Sequence, residues 1–408
     1  MASKKILIVA STFPANNTDP VPAFVRDQIL AFKKVYPDVA FSVLAPHDAR
    51  SHTKSFTAHA AYDEYRFHYF LPFRAEKLAG RGIVPALKQN PLNYFLVPFL
   101  FASEFFALLR LVRKLRPDAI YAHWFTPQGI TAGMVSRLTR VPFVYTSHSS
   151  DVAFLRKVPF IGPRMVRHFS GKARAITVVS RRSLQKLQAF FDDTAWQKLQ
   201  KKVAIIPMGV DVAISSEKAV TSHTKPTNIL FLGRLAEKKG VQYLLPAFAN
   251  IHKQFPDVRL IIAGDGPWLE RLKTLADDLE LEGKVRFSGF VSGQQKADAI
   301  AAADVYVVPS IIAANGDAEG LPVSLMEGLA AGKVCIATNE SGADDIIEDG
   351  KDGFLIPQKD VQALEKALIK ALELTAKKRD ALQAAAQGTA QQFEWTAIAK
   401  QHYEHLFD

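Results

Sequence analysis

A chain of 408 residues has room for two domains of ordinary size, each with its own hydrophobic core. Hydrophobic residues make up 48% of it and charged residues 22%, which excludes a disordered chain and is typical of a folded, soluble protein. The single cysteine, Cys335, excludes a disulfide framework within the chain and favours a reducing compartment.

The net charge of +11 is unevenly distributed along the chain. Residues 1–210 hold 30 Lys and Arg against 12 Asp and Glu, whereas the remaining residues hold 21 against 28. A basic half joined to an acidic half indicates that one half meets an anionic partner. Nucleic acid, a phospholipid surface and a diphosphate-bearing acceptor are all compatible with this charge.

Short apolar runs predict six strands in the first half of the chain. They fall near Lys5–Ala10, Val39–Ala45, Ala119–His123, Pro142–Ser147, Ala173–Val179 and Val203–Pro207. The first run is too short for a signal peptide and is predicted to be a buried strand. The loop that follows, with Asp19-Pro-Val-Pro22, lacks the Gly-x-Gly-x-x-Gly pattern that an NAD-dependent dehydrogenase needs here.

Residues 91–116 form an aromatic-rich segment that ends in four basic residues. Asn93, Pro98 and Glu104 interrupt its apolar run, so it would make a poor transmembrane helix. Two interpretations stay open. The segment is either a core helix or an interfacial helix whose basic end meets anionic lipid.

Polar side chains follow the strand that ends at Ser147. His148 lies at the predicted carboxyl end of a sheet, where ligands of such folds bind, although a structural histidine is equally compatible with the local sequence. Asp151 either contributes to the same site or caps the next helix. His123 and Trp124 occupy the same position after the preceding strand.

The second half repeats the alternation of strands and helices after a polar stretch at 208–226, the predicted linker. Its strands are predicted near Asn228–Gly233, Val258–Gly264, Val285–Gly289, Val305–Pro309 and Val334–Thr338. Many of these runs are apolar on both faces, as in covered parallel sheets. The sequence therefore predicts an α/β fold with one Rossmann-like, doubly wound parallel sheet in each half. The carboxyl ends of both sheets are expected to face a shared cleft.

Two places in the second half suit a nucleotide, the Gly233–Gly240 segment and the position of Val291. In Gly233-Arg234-Leu-Ala-Glu-Lys-Lys239-Gly240, a guanidinium and an ammonium follow a strand and could clamp a diphosphate, the alternative being a solvated loop. Gly264 begins a turn that needs no ligand to explain it, and Val291 follows the next strand, where it could lie along a base edge.

Glu319 and Glu327 stand on either side of a Gly-Leu-Pro turn and the start of a helix. The free N–H groups and positive dipole end of a helix suit a phosphate. Carboxylates beside them can accept hydrogen bonds from sugar and ribose hydroxyls. The pair therefore suits a nucleotide-sugar site, whereas two solvated acids are the alternative. There is no Asp-x-Asp tripeptide and no Cys/His cluster at metal-ligand spacing, so neither a metal nor another cofactor is predicted.

Taken together, these residues resemble the family 4 retaining glycosyltransferases of the GT-B architecture, most strongly from Asn228 to Pro357. Glu319 and Glu327 match the family's Glu-x7-Glu element, and the Gly233–Gly240 segment resembles its diphosphate motif. His148 and Asp151 resemble the family's His-Gly-x-Asp, with Ser149 in the glycine position. The Asp19–Pro22 loop departs from the Gly-Gly pair common in the family and is expected to shape the acceptor pocket instead.

The resemblance implies an acceptor-binding domain at 1–207 and a donor-binding domain at 227–389, with a last helix at about 390–408 packing back onto the first. It implies metal-independent transfer of a hexose, with retention, from a UDP- or GDP-sugar. Catalytic roles then fall to His148, Arg234, Lys239 and Glu319. Donor-binding roles fall to Asp151, Gly233, Gly264, Val291, Gly320, Leu321, Pro322, Val323 and Glu327.

The basic first half and the aromatic segment suggest a lipid-linked or other cell-envelope saccharide as the acceptor. The protein would then be cytoplasmic, or peripheral on the inner face of the cell membrane. A nucleotide-sugar epimerase of similar fold and a basic nucleic-acid-binding protein are the rival functions. Nucleic acid is not the expected partner, because such a protein would not need an acidic half with its Glu pair.

Overall fold

The computed structural model divides the chain into two units, Met1–Met208 with Trp395–Asp408, and Gly209–Glu394. It describes residues 4–16, 19, 21, 23–49, 53–79, 83, 86, 87, 90–212 and 226–408. Most of the predicted linker, and Pro20 and Pro22 of the first loop, lie outside these residues.

The first unit is built on an eight-stranded sheet. Its strands are β1 (Lys5–Val9), β2 (Ala40–Pro46), β3 (Phe56–Ala58), β4 (Asp63–Phe67), β5 (Ala119–His123), β6 (Phe143–Ser147), β7 (Ile176–Val178) and β8 (Val203–Ile205). The order is β3-β4-β2-β1-β5-β6-β7-β8, and every neighbouring pair is parallel except β3 and β4. The six predicted strands and the parallel sheet are confirmed, and β3 adds one antiparallel strand at the edge of that sheet.

Helices cover both faces of this sheet. They are α1 (Phe24–Val35), α2 (Val97–Leu115), α3 (Ile130–Thr139), α4 (Ser150–Ala153), α5 (Ile161–Lys172), α6 (Arg181–Gln188) and α7 (Asp193–Leu199). The alternation along β1 shows why both faces need cover: Leu7 and Val9 belong to one core cluster, and Ile6 and Ile8 to another.

The second unit contains a six-stranded, wholly parallel sheet. Its strands are β9 (Asn228–Leu232), β10 (Arg259–Ala263), β11 (Val285–Gly289), β12 (Val305–Val308), β13 (Val334–Thr338) and β14 (Phe354–Ile356). Its helices are α8 (Val241–His252), α9 (Leu269–Asp278), α10 (Gly293–Ala302), α11 (Val323–Ala330), α12 (Val361–Leu372) and α13 (Ala376–Gln391). The strand order, β11-β10-β9-β12-β13-β14, reverses direction between β9 and β12. Ligands of open α/β sheets bind outside the carboxyl ends of the strands at such a switch point.

The final helix, α14 (Trp395–Phe407), belongs to the first unit and packs against α1. The rings of Tyr36 and Tyr403 stack at 3.8 Å, and Phe407 lies among the buried residues of the core on the Ile6 face. The helix therefore covers one face of the first sheet.

Gly240 joins the loop after β9 to α8 and is held by two constraints. Its φ is +72°, and a Cβ atom there would lie 1.7 Å from the carbonyl oxygen of Pro309.

We expect Gly240→Ala to lower the free energy of unfolding by about 2–3 kcal/mol, because both the backbone and the clash must relax. Urea unfolding measures this, with Gly388→Ala as the control. Gly388 is an exposed residue of α13 with open space around it, so its replacement should be neutral or stabilising. Equal stability of both variants would contradict the close approach at Gly240.

Candidate functional site

Two loops meet at the switch point of the second sheet, residues 233–240 after β9 and residues 309–322 after β12. The Ile311 N–H donates to the Lys238 carbonyl oxygen at 2.7 Å, and the Ala314 N–H donates to Oε1 of Glu237 at 2.9 Å. Gly240 lies against the Pro309 backbone, as described above. These contacts fix the lysines of the first loop beside the acids of the second.

Glu319 lies between two ammonium groups. Its Oε2 is 3.2 Å from Nζ of Lys239, and its Oε1 is 3.2 Å from Nζ of Lys238. Asp317 adds a second carboxylate 3.4 Å from Nζ of Lys238. Burial alone would raise the pKa of Glu319, but Lys239 and Lys238 outweigh it and lower the pKa to about 2. Glu319 is therefore ionised throughout the physiological range.

The backbone at the carboxyl ends of β9 and β10 is tightly packed. A Cβ atom on Gly264 would lie 1.8 Å from the carbonyl oxygen of Gly233, so the two chain segments touch directly. A Cβ atom on Gly233 would lie 3.8 Å from Nζ of Lys239, which places that ammonium beside bare backbone. Arg234, next in sequence, is exposed. Gly233, Gly264 and Lys239 thus lie together at the switch point, and Arg234 directly follows Gly233 in the chain.

Gly320, Leu321, Pro322 and Val323 connect Glu319 to α11. Pro322 is buried at the N-cap of this helix, and Val323 is its first residue. Leu321 and Val323 are partly buried against the core cluster that also receives Val291. The predicted turn therefore brings a helix N-terminus next to the Glu319 cluster, as its sequence indicates.

Glu327 lies on the second turn of α11 and is paired with Lys296 of α10. The distance from Lys296 Nζ to Glu327 Oε1 is 2.5 Å, and the Glu327 side chain is 18% exposed. Lys296 was absent from the predicted site residues. Each acid of the Glu-x7-Glu element thus has a lysine partner, and Lys296 comes from a helix 31 residues away in sequence.

In the first unit, aromatic rings surround His148, which directly follows the carboxyl end of β6. His148 Nε2 is 3.3 Å from Nδ1 of His123, and its ring centroid lies 4.9 Å from that of Trp124 and 5.1 Å from that of Phe24. Phe24 begins α1, which follows β1, and β1 and β5 flank the point where this sheet reverses its order. Burial lowers the pKa of His148 to about 3, so its imidazole is neutral at physiological pH.

Asp151 holds the loops after β5 and β6 together. Its Oδ2 accepts a hydrogen bond from the Phe125 N–H at 2.6 Å, and its Oδ1 accepts one from the Ser147 hydroxyl at 3.1 Å. Burial raises the pKa of Asp151, and these bonds act against that rise. Both oxygens thus bind groups of the same unit, and Asp151 positions the segment that carries His148.

Ser149, in the position of the family's glycine, has a φ of +84°. Such a backbone conformation favours glycine, so the serine keeps the path that a glycine would give. Its hydroxyl accepts a hydrogen bond from Nζ of Lys186 at 2.6 Å. The departure from the motif therefore changes the side chain and leaves the loop conformation in place.

The aromatic segment is a core helix along one of its faces, as one of its two interpretations predicts, and its contact with lipid stays a prediction. One face of α2 is buried, and there the carboxyl of Glu104 accepts hydrogen bonds from Thr131 and Gln128. The other face and the preceding turn leave apolar side chains in solvent, here called the aromatic surface: Leu92, Tyr94, Phe95, Phe99 and Phe106. The prediction of a poor transmembrane helix does not hold for length and composition alone: within the described part of the chain, Pro91–Leu115 is the one helical segment long and apolar enough to cross a membrane.

Two family models match the chain. The model described as "Glycosyltransferase Family 4" matches residues 49–214, and the one described as "Glycosyl transferases group 1" matches residues 214–389. A phosphatidyl-myo-inositol mannosyltransferase of Mycolicibacterium smegmatis is 30% identical over 93% of this chain and 89% of its own length.

Another relative is a putative colanic acid biosynthesis glycosyltransferase of Escherichia coli. It is 32% identical over 64% of this chain, and the match spans 62% of its own length. The corresponding protein of Salmonella typhimurium is matched over 50% of its length. The chain therefore spans only about half to three fifths of these two relatives.

Solved structures share the fold across the whole chain. The sucrose-phosphate synthase of Thermosynechococcus elongatus superimposes with a TM-score of 0.76 at 18% identity, covering 98% of both chains. Anabaena HepE in complex with UDP gives a TM-score of 0.68 at 19% identity, covering 98% of this chain and 99% of that one.

Proposed function

The chain belongs to the family 4 glycosyltransferases and has their GT-B architecture of two α/β domains, and from this premise we propose its reaction. The protein transfers a hexose from a nucleotide diphosphate sugar to a hydroxyl of a cell-envelope saccharide or its lipid-linked precursor. The observation that carries the proposal is the Lys238–Glu319–Lys239 cluster at the switch point of the second sheet. The names of the relatives support the acceptor class.

Each part of the donor has a suitable group at this point. Lys239 and Arg234 bind the diphosphate, and the N–H groups at the start of α11 add donors to its oxygens. Glu319 stays ionised beside them and accepts hydrogen bonds from the donor-sugar hydroxyls. Glu327 accepts them from the ribose. Lys296, now paired with Glu327, either moves aside or contacts the nucleotide.

Bond cleavage places negative charge on the departing diphosphate, and the fixed cations stabilise it in the transition state. The sugar is transferred with retention by attack from the same face, and the departing phosphate accepts the proton of the acceptor hydroxyl. This chemistry needs no metal ion. His148 contacts the transferred sugar as a neutral imidazole, so it places no cationic charge against the oxocarbenium-like carbon.

A panel of UDP-, GDP- and ADP-sugars tests the donor proposal by thermal shift. A nucleotide sugar that binds the folded state raises Tm by mass action, so one base should stabilise the protein far more than the other two. Turnover of that donor must then depend on an added acceptor. No shift with any member of the panel would contradict the proposal, and donor conversion without an acceptor would favour an epimerase.

We also propose that the first domain meets an anionic membrane through the aromatic surface. The exposed Arg110, Arg113 and Lys114 of α2, and Arg116 directly after it, supply the positive charge that attracts such lipids. The protein should float with vesicles containing phosphatidylglycerol and not with neutral ones. The double variant Leu92→Ser/Phe95→Ser should lose most of this binding, whereas Phe290→Ser, exposed in the other unit, should keep it. Equal flotation of the two variants would exclude this surface.

A further inference from the structure

Three side chains with metal-binding atoms converge at the edge of the first sheet, outside the site described above. His47 follows β2, His68 follows β4, and Glu76 lies eight residues beyond His68. Nδ1 of His47 lies 2.5 Å from Oε2 of Glu76, and Nδ1 of His68 lies 2.9 Å from the same oxygen. One ligand atom from each residue lies within 4.8 Å of the other two.

The carboxylate is held in place before any ion arrives. Glu76 is fully buried, and its second oxygen, Oε1, accepts hydrogen bonds from the N–H groups of Tyr69 at 2.5 Å and Phe70 at 3.1 Å. Such bonds orient a carboxylate ligand and leave its other oxygen to face the histidines.

The two imidazoles pack against other rings. His68 stacks on Phe73 at a ring distance of 3.7 Å, and the His47 ring lies 4.2 Å from that of His68. The backbone N–H of His47 donates to the Phe67 carbonyl oxygen at 2.8 Å, which joins the ends of β2 and β4. The His68 side chain is 31% exposed, whereas that of His47 is 11% exposed. An ion could therefore reach the cluster from the His68 side.

We propose that His47, His68 and Glu76 bind a divalent transition-metal ion of the Zn²⁺ class. Two imidazoles and one carboxylate are a ligand set that Zn²⁺ accepts, with water in the fourth position. On binding, the ion replaces the two contacts between the Nδ1 atoms and the carboxylate oxygen. Each neutral imidazole then carries its proton on Nε2 and offers the Nδ1 lone pair to the metal.

This site is separate from the proposed transfer chemistry. In the sheet, β2 is two strands from β5, which ends in His123, so the two groups of histidines are roughly 10 Å apart. The ion would fasten the segment between His68 and Glu76 to the end of β2. That segment carries Leu71 and Phe73, both exposed, and a bound ion would order their backbone.

The neighbouring His59–Glu64 pair provides a matched control. His59 Nε2 lies 2.9 Å from Oε2 of Glu64, but the other oxygen of that carboxylate accepts a hydrogen bond from Nε of Arg66 at 2.6 Å. The guanidinium already balances this carboxylate, and one histidine alone cannot form a three-ligand site. His59→Ala therefore removes a His–carboxylate contact from the same sheet without touching the proposed site.

Calorimetric titration of ZnCl₂ into the chelator-treated full chain tests the proposal, with Co²⁺ absorbance as a second readout of coordination. The wild type and His59→Ala should bind one equivalent. His68→Ala should bind at least about 100-fold more weakly, since even loss of an outer-shell partner costs 10- to 100-fold. Zn²⁺ should also raise Tm in the wild type and not in His68→Ala.

His68→Ala is the main variant because its partly exposed side chain can be removed with little effect on the core, whereas Glu76 is buried. His47→Ala provides the second removal, and circular dichroism establishes that each variant is folded. No stoichiometric Zn²⁺ binding by the wild type, or equal affinity in folded wild type and His68→Ala, would overturn the proposal.

Discussion

Lys239→Ala is expected to reduce kcat/KM for sugar transfer by about 100- to 1,000-fold, the usual effect of removing one group that stabilises developing charge. Lys239 lies 3.2 Å from Glu319 and beside the bare backbone of Gly233, where the proposed diphosphate would sit. Its ammonium would act on the charge that grows as the glycosidic bond breaks. The loss should therefore appear mainly in kcat, measured with saturating donor and acceptor.

Lys351→Ala is the matched control for this variant. Lys351 pairs with Glu348 at 2.6 Å, but both side chains are about two-thirds exposed, so the pair contributes little. Its activity should equal that of the wild type. Arg234→Ala should resemble Lys239→Ala, because the two cations share the diphosphate. Wild-type turnover in both Arg234→Ala and Lys239→Ala would refute the diphosphate assignment.

Glu319→Ala should be nearly as damaging, and for two reasons. It removes the proposed acceptor for the donor-sugar hydroxyls, and it leaves Lys238 and Lys239 facing each other without the carboxylate that holds them. We expect kcat/KM to fall about 100-fold. We also expect the substitution to weaken binding of the nucleotide sugar more than binding of the nucleoside diphosphate alone, because only the nucleotide sugar carries the hydroxyls that Glu319 is proposed to bind. Comparing the two ligands by calorimetry separates these effects, and Glu348→Ala is the control. If binding of both ligands were weakened equally, Glu319 would act only by holding Lys238 and Lys239 in place and would not bind the donor sugar.

The low pKa of Glu319 sets the pH range in which its ion pairs act. Burial opposes ionisation, but the lysines lower the pKa to about 2, below its value in the unfolded chain. The stabilisation is therefore complete above the unfolded-state pKa and is lost as pH falls toward 2. The difference in unfolding free energy between wild type and Glu319→Gln should be constant from pH 6 to 8 and shrink in acid. Urea unfolding at pH 7 and pH 3 measures it.

Most of the strands that the sequence analysis predicted are apolar runs buried on both faces, although β8 and β11 are only partly buried. Val334–Thr338 and Ala119–His123 are examples, and the structure buries every residue in them. β4 was missed because Asp63-Glu-Tyr-Arg-Phe67 carries charges, which the structure accommodates by pairing Glu64 with Arg66 at 2.6 Å. β14 was missed because a three-residue strand gives no periodicity.

In the candidate site, contacts between residues that follow neighbouring strands could be predicted from the sequence, whereas contacts that depend on the packing of helices could not. Lys239 and Glu319 follow neighbouring strands of a predicted sheet, so their approach could be expected from the position of the motifs. Lys296 could not, because its contact with Glu327 depends on how α10 packs beside α11. The proposed metal site could not be predicted either, because the spacing of His47, His68 and Glu76 along the chain matches no metal-binding motif. These residues come together only because β2 pairs with β4.

A crystal structure of the full chain with the nucleoside diphosphate that raises Tm most is the most direct test of the donor site. The diphosphate should lie outside the carboxyl ends of β9 and β12, within hydrogen-bond distance of Lys239 and the start of α11. The ribose hydroxyls should contact Glu327. A nucleotide bound elsewhere, with the Lys238–Glu319–Lys239 cluster untouched, would contradict the account.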